Sequence, residues 1–165
     1  MILAVTTVSS STLAQGFPYQ SFEHSSLGVV TAELSNLADD PPDKPHSTGS
    51  EVIIAKIQRI VVRVTYRGPH RPADQATAKF IQDYEKAIQP AQALASRYEE
   101  EYLFEEGGKE YWLQVQKPVA AYFERELRPG EPVDLYALAA GGVLENGTWR
   151  WVIPVEEFQS IPISQ

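Results

Sequence analysis

Apolar and polar positions alternate most regularly in the second half of the chain. Residues 111–116 repeat with a period of two and are rich in aromatic and aliphatic side chains, which is typical of a β-strand. In residues 119–127 the apolar side chains recur at spacings of three and four, so they share one face of a helix. After a turn at Gly130, residues 133–139 alternate again. The pattern predicts a strand, a short helix, a turn and a second strand.

The longest predicted strand precedes this unit. Residues 51–66 are rich in isoleucine and valine, and their apolar positions change parity near Gln58 and Arg59. A strand that changes parity usually bulges or bends, so we expect a bulge or a bend at this point. Residues 67–72 contain glycine and proline and are expected to form a turn.

A long amphipathic stretch follows the predicted turn. Residues 74–98 carry one apolar stripe at helical spacing, and Asp74 is a favourable N-cap. Pro90 interrupts the stretch without changing the phase of the stripe. This combination predicts a bent helix, or two helices in line.

Two further turns are predicted from glycine. The glycine pair at 107–108 lies between two strand-like segments, which predicts a hairpin. The Asn-Gly pair at 146–147 predicts a turn before a last strand at residues 149–155. Pro154 indicates that this last strand lies at the edge of the sheet near its end.

Composition divides the chain into four segments. Residues 1–16 carry no charge and resemble the last part of a secretory signal peptide, which predicts export to the periplasm or out of the cell. Residues 17–50 are rich in serine and proline and are expected to form an arm or linker with one short, ambiguous element. We expect residues 51–158 to form a single globular domain and residues 159–165 a C-terminal tail.

Charge narrows the range of partners. The 165-residue chain has a formal net charge of −8, which disfavours binding to nucleic acid and to anionic membrane surfaces. It has no run of about eighteen apolar residues, so no membrane-spanning helix is predicted. It contains no cysteine, which excludes disulfides and thiol catalysis. The expected partner is another protein.

The order of predicted elements is informative once residues 74–98 are set aside. Three strands, a helix and two strands then follow one another, and this order resembles the OB-fold, a five-stranded Greek-key barrel. Residues 127–136 are similar to the junction between the helix and the fourth strand in such modules. The resemblance, to a small domain of an exported bacterial protein, covers roughly residues 51–158. It implies an α+β, mostly β fold with a short helix between strands three and four. The long kinked helix inserted after strand one departs from the usual pattern of the family. The alternative is an open antiparallel sheet packed on the long helix, as in cystatin-like domains.

The sequence contains no recognisable catalytic motif. Its three histidines lie in loops without the spacing of metal ligands, and phosphate-binding and dinucleotide-binding motifs are absent. We therefore predict no catalytic residue, no cofactor and no metal site, and a protein that is not an enzyme. The acidic run at residues 99–106 leaves a hydrolase as the least favoured hypothesis, because two opposed carboxylates would have to meet in a cleft.

A basic stripe is the first candidate for ligand binding. Arg59, Arg63 and Arg67 share strand parity on the face opposite the apolar side chains. In an acidic protein this arrangement suits a carboxylate, a phosphate or an acidic glycan. The alternative is that the arginines pair across the sheet with glutamates of residues 99–106.

Two aromatic side chains are the second candidate. Trp112 and Tyr136 each lie opposite the expected core parity of their strand. Aromatic residues on the outer face of a barrel can stack against ligands, but the long helix could instead cover them. The tentative ligand-binding site therefore consists of Arg59, Arg63, Arg67, Trp112 and Tyr136.

Two functions follow from these observations. The first is an exported interaction module that binds another protein, either by edge pairing of its last strand or by docking residues 17–37 on a neighbour. The alternative is a protein that binds a small anionic ligand or a glycan through the arginines and the aromatic side chains.

Overall fold

The computed structural model describes residues 16–39, 46–47, 52–88, 98–144 and 148–162. Within these ranges the fold is α+β and mostly sheet. The strands are β1 (Glu23–Ser25), β2 (His46–Ser47), β3 (Val52–Pro72), β4 (Glu100–Glu106), β5 (Lys109–Val115), β6 (Pro132–Leu144), β7 (Trp149–Val152) and β8 (Val155–Ser160). The helices are α1 (Leu27–Asn36), α2 (Gln75–Ile88) and α3 (Lys117–Glu126), with a 3₁₀ turn at Tyr19–Ser21.

β3 is the central strand of the sheet. It pairs antiparallel with β6 over most of its length and with β4 near its C-terminal end. β4 and β5 form the predicted hairpin around Gly107, whose φ of 60° suits glycine. β5 pairs with β8 in parallel at Val115 and Val155, and β8 pairs antiparallel with β6. Strand pairing therefore leads from β3 through β4, β5, β8 and β6 back to β3.

The remaining strands extend this arrangement. β7 pairs with the second half of β6, β2 pairs with the start of β3, and β1 lies parallel to the middle of β3. The sheet is mixed, because the β1–β3 and β5–β8 pairings are parallel. The alternative prediction of an entirely antiparallel sheet does not describe it.

The main apolar core is completed by the predicted short helix. Pro118 lies in the first turn of α3, where its missing N–H has no cost. Phe123 of α3 is fully buried and meets Tyr102, Phe104 and Phe158 edge to face, with ring centroids 5.2, 5.9 and 4.8 Å away. Such contacts strengthen an aromatic cluster beyond its buried area. The strand, helix and strand predicted around Gly130 are confirmed.

The N-terminal part of the chain also enters this core. The ambiguous element within residues 17–50 is the helix α1, and Ser26 caps its first turn. Leu27, Val30 and Leu34 lie one and two turns along the same helical face, and each is at most 2% exposed. They pack in the main core with β3, β6 and α3. The packed body therefore begins well before residue 51.

The register of β3 corrects the expected bulge. Gln58 and Arg59 lie opposite Ala139 and Leu138 without interruption, so the bulge predicted there is wrong. The register shifts instead between Ile54 and Lys56. The parity appeared to change at residue 58 because Ile57, an apolar residue, is 47% exposed on the outer face.

The turn expected at residues 67–72 is also wrong, since β3 continues to Pro72. Gly68, with a φ of 98°, lies where the pairing with β4 shifts register. Beyond it, His70 resumes the ladder opposite Tyr102, and the two rings stack with centroids 5.2 Å apart. Glycine and proline mark an irregular strand here and not its end.

The long helix packs outside the main core. Asp74 is its N-cap as predicted, and its Oδ1 accepts hydrogen bonds from the N–H groups of Ala76 and Thr77, both at 3.0 Å. Phe80, Ile81 and Tyr84 of α2 form a separate cluster, which they share with residues of β6 and β7. The main core takes the alternate positions of β6, so α2 lies on the opposite face of that strand. Residues 89–97, including the proline expected to bend the helix, lie outside the described residues.

The predicted last strand is divided in two. β7 ends at Val152, and β8 begins at Val155 and continues to Ser160, two residues into the expected tail. Pro154 has no N–H for the ladder, which explains the break. β8 lies between β5 and β6, so the edge expected near Pro154 is wrong for β8, whereas β7 lies at the end of the strand order. The turn predicted at 146–147 lies outside the described residues.

None of the helices in the described ranges has both the length and the apolar character that a membrane span requires.

Candidate binding groove

The three arginines of the basic stripe lie in different environments. Arg63 makes a two-pronged ion pair with Asp134, directly opposite on β6, through its Nε and Nη2 atoms at 2.9 Å each. This hydrogen bonding and the carboxylate charge raise the pKa of Arg63. The partner expected from residues 99–106 is therefore wrong for this arginine. Arg67 is exposed beyond it on the same strand.

Tyr136 is covered by the N-terminal segment and not by the long helix. Its ring lies 5.9, 4.9 and 5.5 Å from the rings of Phe17, Tyr19 and Phe22, in edge-on contacts. Its hydroxyl donates to Oε1 of Gln159 at 2.9 Å. We call residues 17–22 the strap, because they cross the outer face of β6 and bury this side chain to 8% exposure.

Trp112 lies in a different environment. The guanidinium of Arg71 stacks 4.0 Å above its ring, and Arg71 Nε also donates to Glu101 at 2.9 Å. Gln114 donates to the other oxygen of Glu101 at 2.8 Å. Trp112 is on β5 and Tyr136 is on β6, with β8 between these strands. The structure thus does not bring the two predicted aromatic residues into one concavity.

The acidic run is used mainly in structural contacts. Glu106 accepts the first N–H groups of α1, Glu105 accepts the N–H of Gly108, and Glu101 is held by β3 and β5. Glu99 and Glu100 line a cavity of about 290 Å³ beside α3. There Glu99 pairs with Lys117 at 3.1 Å and Glu100 accepts from the Tyr102 hydroxyl at 3.2 Å, so each carboxylate already has a partner.

A groove of about 740 Å³ lies on the outer face of the sheet. Its floor contains Ile57 and Arg59 of β3 and Leu138 of β6. Arg59 and Leu138 lie opposite each other and point away from the core, because the neighbouring Ile60 and Ala137 are fully buried within it. The groove runs between the strap and α2.

Its walls come from elements that are distant in the sequence. Ser21 and Glu23 border it on the strap side, and Tyr84 of α2 and Glu156 of β8 border it on the other. Glu156 is the extra residue where the pairing of β8 with β6 shifts register. A bulge of this kind re-aims a side chain, and here the wall of the groove gains a carboxylate.

Tyr84 is the least expected member of the groove. It is 1% exposed, and its hydroxyl has no hydrogen-bond partner among the described residues. Burial raises the pKa of Tyr84. The negative charges of Glu156 and Glu85 raise this pKa further, whereas the positive charge of Arg59 lowers it. The phenol is therefore neutral at physiological pH and retains an O–H to donate. An unsatisfied buried hydroxyl costs about 1–3 kcal/mol.

Arg59 is the second hydrogen-bond donor of the groove. It makes no ion pair within the described part of the chain, in contrast to Lys56, which pairs with Glu33 at 2.7 Å. A guanidinium presents five N–H donors in a planar fork that matches a carboxylate. Arg59 is thus the one residue of the predicted site that the structure places in the groove.

Sequence reasoning missed most of the groove for an identifiable reason. Tyr84 was assigned to the apolar stripe of the long helix, and only its hydroxyl could have indicated a polar role. Ser21 and Glu23 reach the groove because the strap folds back on β3 and β6, and no local pattern encodes that contact. Among the described residues, no group of three or more His, Cys, Asp or Glu side chains is arranged to hold a metal ion.

No protein-family profile matches the chain, and comparisons with curated proteins and with solved structures also give no match.

Proposed function

We propose that this protein is a non-enzymatic interaction module that docks a segment of another protein in the groove. The observation that carries the proposal is that an exposed apolar side chain, an exposed arginine and a buried hydroxyl meet at one place. Ile57 is 47% exposed, Arg59 has no ion pair with a described residue and the buried Tyr84 hydroxyl has no acceptor among those residues. Each of the three would gain an interaction from a bound chain.

The composition of the groove favours a polypeptide over a small molecule. Small-molecule sites are mostly apolar and enclose the ligand, whereas this groove is open and polar and carries both charge signs. Tyrosine and arginine are enriched among the residues that contribute most of the binding energy at protein interfaces, and the rim around them is polar. Here Arg59 lies on the floor of the groove, and Glu23 and Glu156 lie on its walls.

We also infer the scaffold that presents the groove. The pairings of β3, β4, β5, β6 and β8 support an OB-type barrel with these strands in positions one to five. In this assignment α3 lies between strands three and four, and α2 is inserted after strand one. The groove would then lie on the outer surface formed by strands one, four and five.

Docking in the groove differs from the two means of binding expected from the sequence, which were edge pairing of the last strand and docking of residues 17–37. Residues 17–37 cannot dock on a neighbour while the strap and α1 pack on their own chain. The uncharged segment 1–16 supports export, and we propose that the partner is met in the periplasm or outside the cell.

A peptide selection tests the proposal. A displayed library of random eight-residue peptides is selected on the full chain, and the enriched sequences are measured as synthetic peptides by fluorescence polarisation. Ile57→Asp should abolish their binding, since it places a charge on the apolar floor. The matched control is Val29→Asp, an apolar residue of α1 that is 53% exposed outside the groove. Failure to enrich any peptide, or equal binding by the Ile57→Asp variant, would overturn the proposal.

A further inference from the structure

Two donors in the groove point to the same kind of acceptor. The Tyr84 hydroxyl is buried beside the groove without an acceptor in the described chain, and Arg59 lines the same groove. A carboxylate can accept from a guanidinium through both of its oxygens and still accept a further O–H. No other described side chain supplies this acceptor to Tyr84.

We propose that the groove recognises a single carboxylate of the docked segment, the side chain of an aspartate or glutamate, held by Arg59 and the Tyr84 hydroxyl. The inference rests on the proposed function and specifies the partner of that same groove. It assigns Tyr84 a binding role that its place in the apolar stripe of α2 does not suggest.

The charges around the pair select a carboxylate over a phosphate. Glu23 also lines the groove, so the second negative charge of a phosphate would be repelled. Lys56 does not compensate, because it is already paired with Glu33. One arginine and one neutral phenol suit a ligand group with one negative charge.

The packing around Tyr84 makes the proposal testable. Tyr84→Phe removes only an oxygen that has no hydrogen bond within the described chain, so the variant should unfold at the same temperature as the wild type or slightly higher. A purely structural role for the hydroxyl predicts a lower unfolding temperature instead. The binding role and the structural role therefore predict different unfolding temperatures for this variant, before any ligand is added.

The binding test uses peptides from the selection that contain one acidic residue, each paired with a version in which that residue is Asn or Gln. The acidic peptide should bind about tenfold more tightly. Tyr84→Phe and Arg59→Gln should each reduce this preference about tenfold and leave the affinity for the amide peptide unchanged. Tyr122→Phe on α3 and Arg67→Gln on β3 are the matched controls outside the groove.

Each outcome has a defined meaning. If the peptides bind but acid and amide versions are equal, or Arg67→Gln acts like Arg59→Gln, the carboxylate site is rejected while the docking groove stands. If no peptide is selected, both proposals fall together. If the single residue N-acetyl-aspartate amide binds as tightly as the peptide, the groove takes a small carboxylate and the protein partner is rejected.

Discussion

The carboxylate of Glu106 accepts a hydrogen bond from the backbone N–H of Leu27 at 3.0 Å, although 79 positions separate them in the chain. Its second oxygen accepts the N–H of Gly28, also at 3.0 Å. Glu106 thus caps the first turn of α1 from the end of β4, where a negative charge is favoured by the helix dipole. This contact fixes the N-terminal helix to the sheet.

Removal of this cap should therefore destabilise the whole fold. We expect Glu106→Ala to lower the free energy of unfolding by about 1–2 kcal/mol, because two N–H groups at the start of α1 lose their acceptor. Glu106→Gln keeps one acceptor oxygen and should lose less. Urea unfolding measures both. Glu110→Ala, an exposed glutamate of β5, is the control, and an equal loss there would refute the capping role.

The second prediction contrasts a glycine within α1, Gly28, with a glycine of the sheet that lies beside α1, Gly141. A Cβ on Gly141 of β6 would lie 2.5 Å from the ring of Trp149, whereas one on Gly28 would meet nothing closer than 3.8 Å. Trp149 is held by a hydrogen bond from its Nε1 to the carbonyl oxygen of Leu34 at 2.8 Å. Gly141→Ala must displace this indole and should cost about 1–3 kcal/mol.

Gly28→Ala is expected to be neutral, or to stabilise the protein by up to about 1 kcal/mol, since alanine is the better helix former. The pair is compared by thermal unfolding, and by tryptophan emission to detect movement of Trp149. Equal effects of the two substitutions would mean that α1 does not pack against β7 as described.

These contacts show which parts of the fold the sequence could predict. The β4–β5 hairpin, α3 and β6 depend on neighbours within a few positions, so periodicity and glycine placement located them. α1 is different, because Glu106 and Trp149, which hold its two ends, come from distant strands. A ten-residue helix with few stabilising features of its own depends on such packing, and its pattern was therefore ambiguous.

The candidate site could be predicted only in part, for a related reason. Strand parity correctly placed Tyr136 and Arg59 on the face opposite the main core. Strand parity does not indicate which other segments of the chain cover that face. The strap covers Tyr136, Asp134 holds Arg63, and Arg59 remains open to the groove. Which outward residue is available depends on long-range packing.

The third prediction concerns the strap. Phe22 is 7% exposed and packs on Val61 and Tyr136 in a small cluster of its own. Phe22→Ala should cost about 3 kcal/mol and release the strap, since that cluster holds it on the sheet. Amide hydrogen exchange should become faster in β1 and stay slow in β8. Phe22→Leu keeps most of the apolar volume and should change exchange little. Unchanged exchange in β1 with Phe22→Ala would exclude this anchoring role.

The last prediction follows from a buried carboxylate. Glu157 of β8 is 5% exposed, and the N–H of Phe158 donates to its Oε1 at 2.9 Å. Burial raises the pKa of Glu157, the Phe158 bond opposes this, and the charge of Glu126 adds to it. The folded protein therefore holds this proton more tightly than the unfolded chain does.

The sign of the pH dependence follows by linkage. The contribution of Glu157 to the free energy of unfolding is fully present below the ordinary glutamate pKa of about 4.3. It is lost as the pH rises through the raised pKa of the folded state. Glu157→Gln keeps an acceptor for Phe158 and cannot ionise, so it avoids that loss. The free energy of unfolding of the variant, relative to the wild type, should rise from about pH 4 towards pH 7. Urea unfolding across this range tests it, with Glu124→Gln, on the exposed side of α3, as the control. Parallel stability curves for Glu157→Gln and the wild type would show that Glu157 titrates alike in the folded and unfolded chains.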